Sequence, residues 1–308
     1  MNVEALKIKE KTLFYVPIVT PSNPGFVNLG LKLGTEKLNS YIKNFGFGVK
    51  TGVDLNGEAS GILFNPNTMS ILNTATTAFG QGVSVTAIQQ VMAVSAAING
   101  GTLYKPYIVK SINEPETNAV ILKNNPQVVR KVISKETSDK VRYALESVVA
   151  KGTGRNAYIE GFRVGGKTGT AQKAVNGSYL VNNYIVSFIG FMPADDPQVV
   201  IYIAVDNPKG VTQYGGTVAA PLVRNVMLSA IDIFDLSPRS DYLTKEYNWY
   251  DIKYASVPDV TNMSLTEARK KLKNFKIEVK GTGDKIIYQS PTAGLSLQEG
   301  STIMLYLN

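Results

Sequence analysis

Residues 161–172 read Gly-Phe-Arg-Val-Gly-Gly-Lys-Thr-Gly-Thr-Ala-Gln, and this stretch decides the fold. Gly161 and Gly166-Lys167-Thr168 have the spacing of a phosphate-binding loop, which must open a helix because the first free N–H groups of that helix hold the phosphates. The chain instead continues to Asn176-Gly177, a strong hairpin signal, and then to Tyr184–Phe191, which alternates bulky and small side chains at strand period. We therefore predict that Lys167 lies on a strand entering a hairpin and that the chain binds no nucleotide.

The composition excludes several kinds of chemistry. The chain has 308 residues, of which 44% are hydrophobic and 18% charged, as in a globular protein with one large and one small domain. It contains no Cys and no His, so it can form no disulfide, thiolate site, His–zinc site or Ser-His-Asp triad. Acyl transfer by a Ser–Lys pair remains compatible with this composition, and we expect no metal and no cofactor.

The net charge of +8 allows two interpretations. It describes either a solvated basic surface or a preference for anionic polymers such as cell-wall material or a membrane face. Scattered rather than clustered lysines argue against nucleic acid as a partner. The longest apolar run, Leu13–Val19, is too short to span a bilayer, and no signal-peptide pattern opens the sequence.

Hydrophobic periodicity predicts an α+β domain over residues 21–233, with an antiparallel sheet flanked by helices. Helices are predicted over 24–33, over 35–45 with Leu38, Tyr41, Ile42 and Phe45 inward, after Thr86, after Ser134, and over 218–233. Strands are predicted around Lys167 and over 184–192 and 199–205. Residues 1–20 show no clear pattern and stay unassigned.

A second, smaller unit is predicted over residues 257–308. Residues 234–256 are polar and aromatic without periodicity, which is typical of a linker. Ser264 and Glu267 form a capping box ahead of a short helix, and three strand-like segments follow it. The pattern predicts a small βαββ domain.

Several blocks of sequence together resemble the class B penicillin-binding proteins, the peptidoglycan D,D-transpeptidases. The resemblance runs from about Asn23 to Ile231, and its blocks are residues 23–30, 78–86, 152–154, 167–172 and 214–221. It implies a β-lactamase-like transpeptidase fold for 21–233. Residues 257–308 resemble a single PASTA domain, and this combination is similar to the sporulation-specific type of the family.

The Lys167-Thr168-Gly169-Thr170 tetrad matches the family's third motif. On an edge strand, Gly169 has no Cβ to block an extended peptide from pairing alongside. Lys167 and the hydroxyls of Thr168 and Thr170 can hold a terminal carboxylate, as in acyl-D-Ala-D-Ala or a β-lactam. The N–H of Thr170 is expected to donate to an oxyanion.

The other two family motifs depart from the pattern. Asn23 matches the last residue of S-x-N, but the serine position is Pro21, which has no hydroxyl. The one S-x-x-K string is Ser40–Lys43, downstream of Asn23 on a predicted helix, and we interpret Ser40 and Lys43 as solvated helix surface. No catalytic residue is therefore identified, and we expect an N-terminally truncated transpeptidase.

Two functions stay open from the sequence. The first is the substrate-binding portion of a serine D,D-transpeptidase, with peptidoglycan stem peptide and β-lactams as ligands and no covalent adduct formed by this chain alone. The second is a non-catalytic module that holds cell-wall material or another cell-wall or division protein through its PASTA-like domain. Relatives of this type act outside the cytoplasm at the cell membrane, which is the location that the resemblance implies.

Overall fold

The computed structural model describes residues 18–19, 21–175, 178–246 and 253–308. The chain divides into two compact units, Met1–Tyr247 and Asn248–Asn308. The predicted hairpin turn at Asn176-Gly177 and most of the unassigned segment 1–20 lie outside the described residues.

Over its described residues from 21 onward, the first unit contains six α-helices, two short 3-10 helices and seven strands. The helices are α1 Asn23–Leu33, α2 Thr35–Asn44, α3 Ile71–Ala78, α4 Ala87–Ile98, α5 Lys135–Lys151 and α6 Gly215–Ile233. The strands are β1 Thr102–Lys105, β2 Ser111–Asn113, β3 Val120–Lys123, β4 Gln127–Lys131, β5 Gly165–Val175, β6 Ser178–Met192 and β7 Val199–Asp206. Helix α3 and strands β1 to β4 were not predicted. Strands β2, β3 and β4 are exposed along their whole length, so they show no one-sided apolar pattern.

The core sheet has the order β5-β6-β7, and both pairings are antiparallel. On one face, Phe188 of β6 packs in a cluster with Val223 and Met227 of α6. On the other face, Phe191 packs with Ile98 of α4, and Leu145 of α5 lies against them. The predicted α+β arrangement, an antiparallel sheet with helices on both sides, is confirmed.

Helix α4 is fixed at its start by a buried glutamine. Thr86 and Gln89 form a reciprocal capping box, with N–H···O distances of 3.0 and 3.2 Å. The Gln89 side-chain amide also donates to the carbonyls of Val49 and Ser60. The long loop before α3 is thereby tied to the helix that faces the sheet.

The predicted apolar face of helix α2 is wrong at one position. Leu38, Ile42 and Phe45 are half-buried, but Tyr41, also expected inward, is 45% exposed. The fully buried residue of the helix is Asn39, whose amide donates to the Thr35 carbonyl at 2.9 Å and to the Met69 sulfur at 3.1 Å. With these partners a polar side chain can occupy the inner face of the helix.

The described part of the predicted linker, residues 234–246, packs on the first unit. The N–H of Arg239 donates to the Gly161 carbonyl at 2.7 Å, and that of Glu246 donates to the Ala150 carbonyl at 2.8 Å. Arg239 also pairs with Asp195 at 2.8 Å. Leu236 packs against the core cluster, and the Tyr242 ring lies 6.3 Å from that of Tyr158. These apolar contacts are isolated along the segment, so hydrophobic periodicity could not reveal the packing.

The described part of the second unit, residues 253–308, contains one helix and five strands. They are β8 Tyr254–Ser256, α7 Leu265–Lys271, β9 Lys276–Lys280, β10 Ile286–Ser290, β11 Ser296–Gln298 and β12 Thr302–Leu307. The sheet has the order β10-β12-β9, with β12 and β9 parallel, while β8 pairs with β11. Ile303 and Leu305 of β12 are buried with Leu272, which directly follows α7. Its unpredicted strands are the short pair β8 and β11.

A buried ion pair joins α5 to the segment entering β5. Arg163 donates two hydrogen bonds to Glu146, at 2.7 and 3.0 Å, and Glu146 is only 3% exposed. Glu146 and the nearby acids Asp195 and Asp241 raise the pKa of the Arg163 guanidinium, with the hydrogen bond to Glu146 as the largest cause. The pair fixes the strand that carries Lys167 against α5.

We predict that Arg163→Met destabilises the first unit by about 3–5 kcal/mol, because the Glu146 carboxylate would stay buried without its partner. The double variant Arg163→Met/Glu146→Met should regain most of that loss, since it removes both charges. Urea unfolding followed by circular dichroism measures both. A single variant as stable as the parent would contradict this account of the pair.

Candidate functional site

Residue pairs across the core sheet alternate between hydrogen-bonded and non-hydrogen-bonded pairs. This alternation, called the phase of the ladder below, decides which backbone groups of β5 can bind a ligand. The Asn207 N–H donates to the Tyr184 carbonyl, which sets the phase of the ladder between β6 and β7. Because Tyr184 bonds to β7, every second residue after it along β6 also bonds to β7, and the residues in between bond to β5. The backbone groups of Ser187 and Ile189 therefore bond to their β5 partners, Gly169 and Lys167. The N–H and C=O groups of Thr168 and Thr170 consequently point outward, along the free edge of the sheet.

A cavity of about 450 Å³ opens beside this edge strand. Lys167 and Gly169 line it from β5, and Ser187 and Ile189 line it from β6. Opposite the sheet it is lined by Phe79, Gln81, Gln90, Val94 and Leu145. Mostly apolar walls with a few converging polar groups, at this volume, are typical of small-ligand sites.

Lys167 is half-buried and carries its charge into this cavity. Its ammonium donates to the Thr168 carbonyl at 3.0 Å and lies 3.4 Å from the Thr168 hydroxyl. Burial lowers the pKa of Lys167 to about 8. Within the described residues no carboxylate lies at salt-bridge distance from it, whereas Lys173, on the same strand, pairs with Asp206 at 2.8 Å. Lys167 is therefore the lysine of this strand that is suited to an anionic ligand.

Thr153 supports the motif from a neighbouring turn and was missing from the predicted site. The hydroxyls of Thr153 and Thr168 lie 3.0 Å apart. The turn is placed after α5 by hydrogen bonds from the N–H groups of Gly152 and Gly154 to the Val148 carbonyl. The signal that could have revealed it is the Gly152-Thr-Gly154 block, whose small residues allow this close approach.

The start of α6 packs against the same strand. The N–H of Gly215 lies 3.4 Å from the Thr170 hydroxyl. A Cβ at Gly215 would collide with the Ser187 carbonyl, and one at Gly216 would collide with the Thr153 carbonyl. A Cβ at Gly169 would lie 2.5 Å from the Ser187 hydroxyl. Glycine at these positions lets helix, turn and strand approach closely enough to assemble the site.

The predicted substrate residue Asn23 is not brought to the cavity. It is exposed at the first position of α1 and is not one of the cavity-lining residues. The neighbouring Ser22 caps α1, since its hydroxyl accepts the Gly25 N–H at 3.3 Å. Of the predicted site residues, the structure therefore brings together Lys167, Thr168, Gly169 and Thr170 and leaves Asn23 apart.

Ser40 and Lys43 also lie away from the cavity. Both side chains are exposed on α2, and neither lines the cavity. The Lys43 carbonyl accepts a hydrogen bond from Arg130 at 3.0 Å, which ties the end of α2 to β4.

Among the residues that the structure describes, no group of three or more acidic side chains is arranged to hold a metal ion. Of the helices in the part of the chain that the structure describes, none is long and apolar enough to cross a membrane.

Comparison with family models matches both units. Residues 18–228 match the penicillin-binding protein transpeptidase domain, and residues 255–308 match the PASTA domain. The chain is 57% identical to stage V sporulation protein D of Bacillus subtilis over 95% of its own length and 46% of that protein. It is 32% identical to a probable peptidoglycan D,D-transpeptidase PenA of Neisseria meningitidis, over 70% of this chain and 36% of that protein.

Solved structures show the same fold. Penicillin-binding protein 3 of Mycobacterium tuberculosis, crystallised with ampicillin, is similar with a TM-score of 0.68 and 29% identity, over 76% of this chain and 54% of that one. The transpeptidase domain of penicillin-binding protein 3 from Burkholderia pseudomallei is similar with a TM-score of 0.63 and 30% identity, over 71% of this chain and 63% of that one. This chain spans less than half the length of the curated relatives described above.

We predict that Lys167→Met makes the protein more stable at pH 7, by about 1–2 kcal/mol, because it removes a desolvated ammonium. The folded pKa of Lys167, about 8, lies below the unfolded value of 10.5. The unfolded chain then binds more protons between those values, so parent stability rises with pH there and the advantage of the variant shrinks. Urea unfolding at pH 7, 8.5 and 10 tests this. An advantage that stays constant with pH would contradict it.

Proposed function

The chain belongs to the penicillin-binding protein transpeptidase family, and we propose that its first unit binds the D-alanyl end of a peptidoglycan stem peptide, or a β-lactam, along β5. The observation that carries this proposal is the combination of outward backbone groups at Thr168 and Thr170 with the Lys167 ammonium, which has no carboxylate partner among the described residues. An extended peptide can add to such an edge as a further strand.

The polar groups along β5 bind different parts of the ligand. The Lys167 ammonium and the Thr168 hydroxyl, which is held by Thr153, bind the terminal carboxylate through charge-assisted hydrogen bonds. The outward N–H of Thr170 donates to the carbonyl oxygen next to the scissile bond, where negative charge develops during acyl transfer. Gly169 leaves room above the strand for the ligand backbone.

We infer that this chain alone binds without acylation. A serine transpeptidase needs a hydroxyl activated by a neighbouring base. The sequence contains one S-x-x-K string, Ser40–Lys43, and both residues are exposed on α2 away from the cavity. The proposed activity is therefore reversible ligand binding, with cell-wall synthesis during sporulation as its setting. The similarity to stage V sporulation protein D supports that setting.

We expect a fluorescent penicillin to bind reversibly, with no adduct that survives denaturing electrophoresis. Lys167→Met should weaken binding roughly tenfold or more, since it removes the charge-assisted contact. Lys173→Met is the matched control, because that lysine lies on the same strand but pairs with Asp206 at 2.8 Å. Fluorescence anisotropy measures affinity.

Two results would contradict this proposal. One is equal loss of affinity in the Lys167 and Lys173 variants. The other is a stable adduct that disappears in Ser40→Ala, which would make Ser40 the nucleophile.

A second function, cell-wall binding by the PASTA unit, is favoured by its open sheet face. Tyr288 and Tyr306 are cross-strand partners with ring centroids 5.6 Å apart, and Tyr306 pairs on its other side with Lys280. Tyr288 is 53% exposed. The opposite face is the one buried with Leu272, so this aromatic pair lies on the face that stays open.

We expect Tyr288→Ala/Tyr306→Ala in the full chain to lower retention on purified peptidoglycan sacculi several-fold, because both rings contribute contact area. Tyr179→Ala is the control, since Tyr179 is 50% exposed in the first unit. Sedimentation of the protein with sacculi gives the retained fraction. Equal retention by all variants would leave this face without a role in wall binding.

A further inference from the structure

Residues 238–246, called the strap below, lie against residues 150–158, the segment that carries Thr153. The Glu246 N–H donates to the Ala150 carbonyl at 2.8 Å, three residues before Thr153. That carbonyl belongs to the last turn of α5, where carbonyl groups have no partner within the helix. The strap thereby fixes the point at which the chain leaves α5 and approaches the ligand site.

The strap contacts the same segment again five residues after Thr153. The ring of Tyr242 meets the ring of Tyr158 edge to face, with the two centroids 6.3 Å apart. The Lys245 ammonium lies 5.9 Å from the centroid of the Tyr158 ring, which is within the range of a cation–π contact. Edge-to-face ring pairs are favourable beyond the area that they bury. Along the chain, Thr153 therefore lies between two points that the strap holds.

Between these two points, the segment reaches the ligand site. The Thr153 hydroxyl lies 3.0 Å from the Thr168 hydroxyl. The buried Asn156 amide donates to the Gly216 carbonyl at 2.8 Å. A Cβ at Gly216 would lie 2.3 Å from the Thr153 carbonyl, so the start of α6 packs directly on this segment. A displacement of the segment would therefore disturb both the Thr153 contact and the start of α6.

The strap is itself anchored near the start of β5. The Arg239 N–H donates to the Gly161 carbonyl at 2.7 Å, and the Arg239 guanidinium pairs with Asp195 at 2.8 Å. The Asp241 carboxylate lies 3.7 Å from the guanidinium of Arg163, which precedes β5 by two residues. The strap thus connects the start of β5 to the segment that it holds on both sides of the site.

We propose that the strap is a positioning element of the ligand site, which keeps the Thr153 hydroxyl within hydrogen-bond reach of Thr168. The strap residues, all within the described ranges, do not line the cavity, so the strap acts through residues 150–158 and not on the ligand. A ligand binds more tightly to a site that is already held in place, because binding does not have to order it. This proposal rests on the proposed function, since the affinity concerned is that for the ligand along β5.

Hydrogen–deuterium exchange of the ligand-free protein tests this positioning. Glu246→Pro removes the N–H that binds the Ala150 carbonyl, whereas Glu246→Ala keeps it and loses the exposed ion pair with Lys151. Amide exchange over residues 150–158 should be roughly tenfold faster in the proline variant than in the parent or the alanine variant. Exchange over α4 should be equal in all three. Equal exchange over residues 150–158 in the parent and the proline variant would overturn the proposal.

Affinity for a fluorescent penicillin tests the consequence for the site with a variant that changes no backbone group. Tyr242→Ala should weaken binding roughly three- to tenfold, whereas Tyr242→Phe, which keeps the ring, should stay within about twofold of the parent. In a Thr153→Val background, Tyr242→Ala should cause a further loss of about twofold at most, because the strap acts through Thr153. Equal losses with and without the Thr153 hydroxyl would show that Tyr242 only supports the fold, and would overturn the proposal.

The two proposals can fail separately. A parent that binds no penicillin contradicts the proposed function, and hydrogen exchange then decides whether the strap holds residues 150–158. A parent that binds penicillin, with exchange unchanged in both Glu246→Pro and Tyr242→Ala, supports the ligand site and refutes the role of the strap. Urea unfolding establishes that each variant is folded under the conditions of both measurements, and Tyr242→Ala decides the matter if the proline variant is not.

Discussion

The alternation of hydrogen bonds across β6 is the constraint on which the rest of this molecule depends. One ladder phase, set where Asn207 meets Tyr184, directs Ser187 and Ile189 toward β5. It thereby leaves the backbone groups of Thr168 and Thr170 outside the sheet. A slip of one residue would turn these groups inward and move Lys167 to the face covered by α6.

Close packing around that strand is what gives the motif its geometry. Gly215 and Gly216 let the start of α6 approach the Ser187 and Thr153 carbonyls without a Cβ in between. Thr153 then reaches the Thr168 hydroxyl at 3.0 Å. This packing buries Lys167, and the loss of solvent around its ammonium lowers the pKa of Lys167 to about 8. The charged form of this lysine is therefore destabilised. A lysine that is kept charged in such a place is typical of a binding group whose partner is the ligand.

Much of the site and fold could be predicted because their signals are local. Each of three signals lies within a short stretch of sequence: the glycine after Lys167-Thr168, the alternation at strand period from Tyr184, and the long apolar helix near the end of the domain. Features that depend on residues far apart in the sequence were not predicted. Asn23 matched a motif, yet it is exposed at the first position of α1, which Ser22 caps, and Tyr41 was expected inward, yet it is exposed while Asn39 is buried. Residues 234–246 lacked any period because backbone bonds, ion pairs such as Arg239 with Asp195, and isolated apolar contacts such as that of Leu236 hold them in place.

The sequence by itself determined the family resemblance, the two-unit division, the strand identity of Lys167–Thr170 and the exclusion of cysteine and histidine chemistry. These follow from residue type and from periods of two or 3.6 residues, which need no knowledge of distant partners. Only the tertiary structure decided that the Thr153 hydroxyl lies 3.0 Å from that of Thr168, that Asn23 and Ser40 do not line the cavity, and that the backbone groups of Thr168 and Thr170 point away from β6. The physical reason is that hydrogen-bond phase and close approach are properties of pairs of segments far apart in the chain.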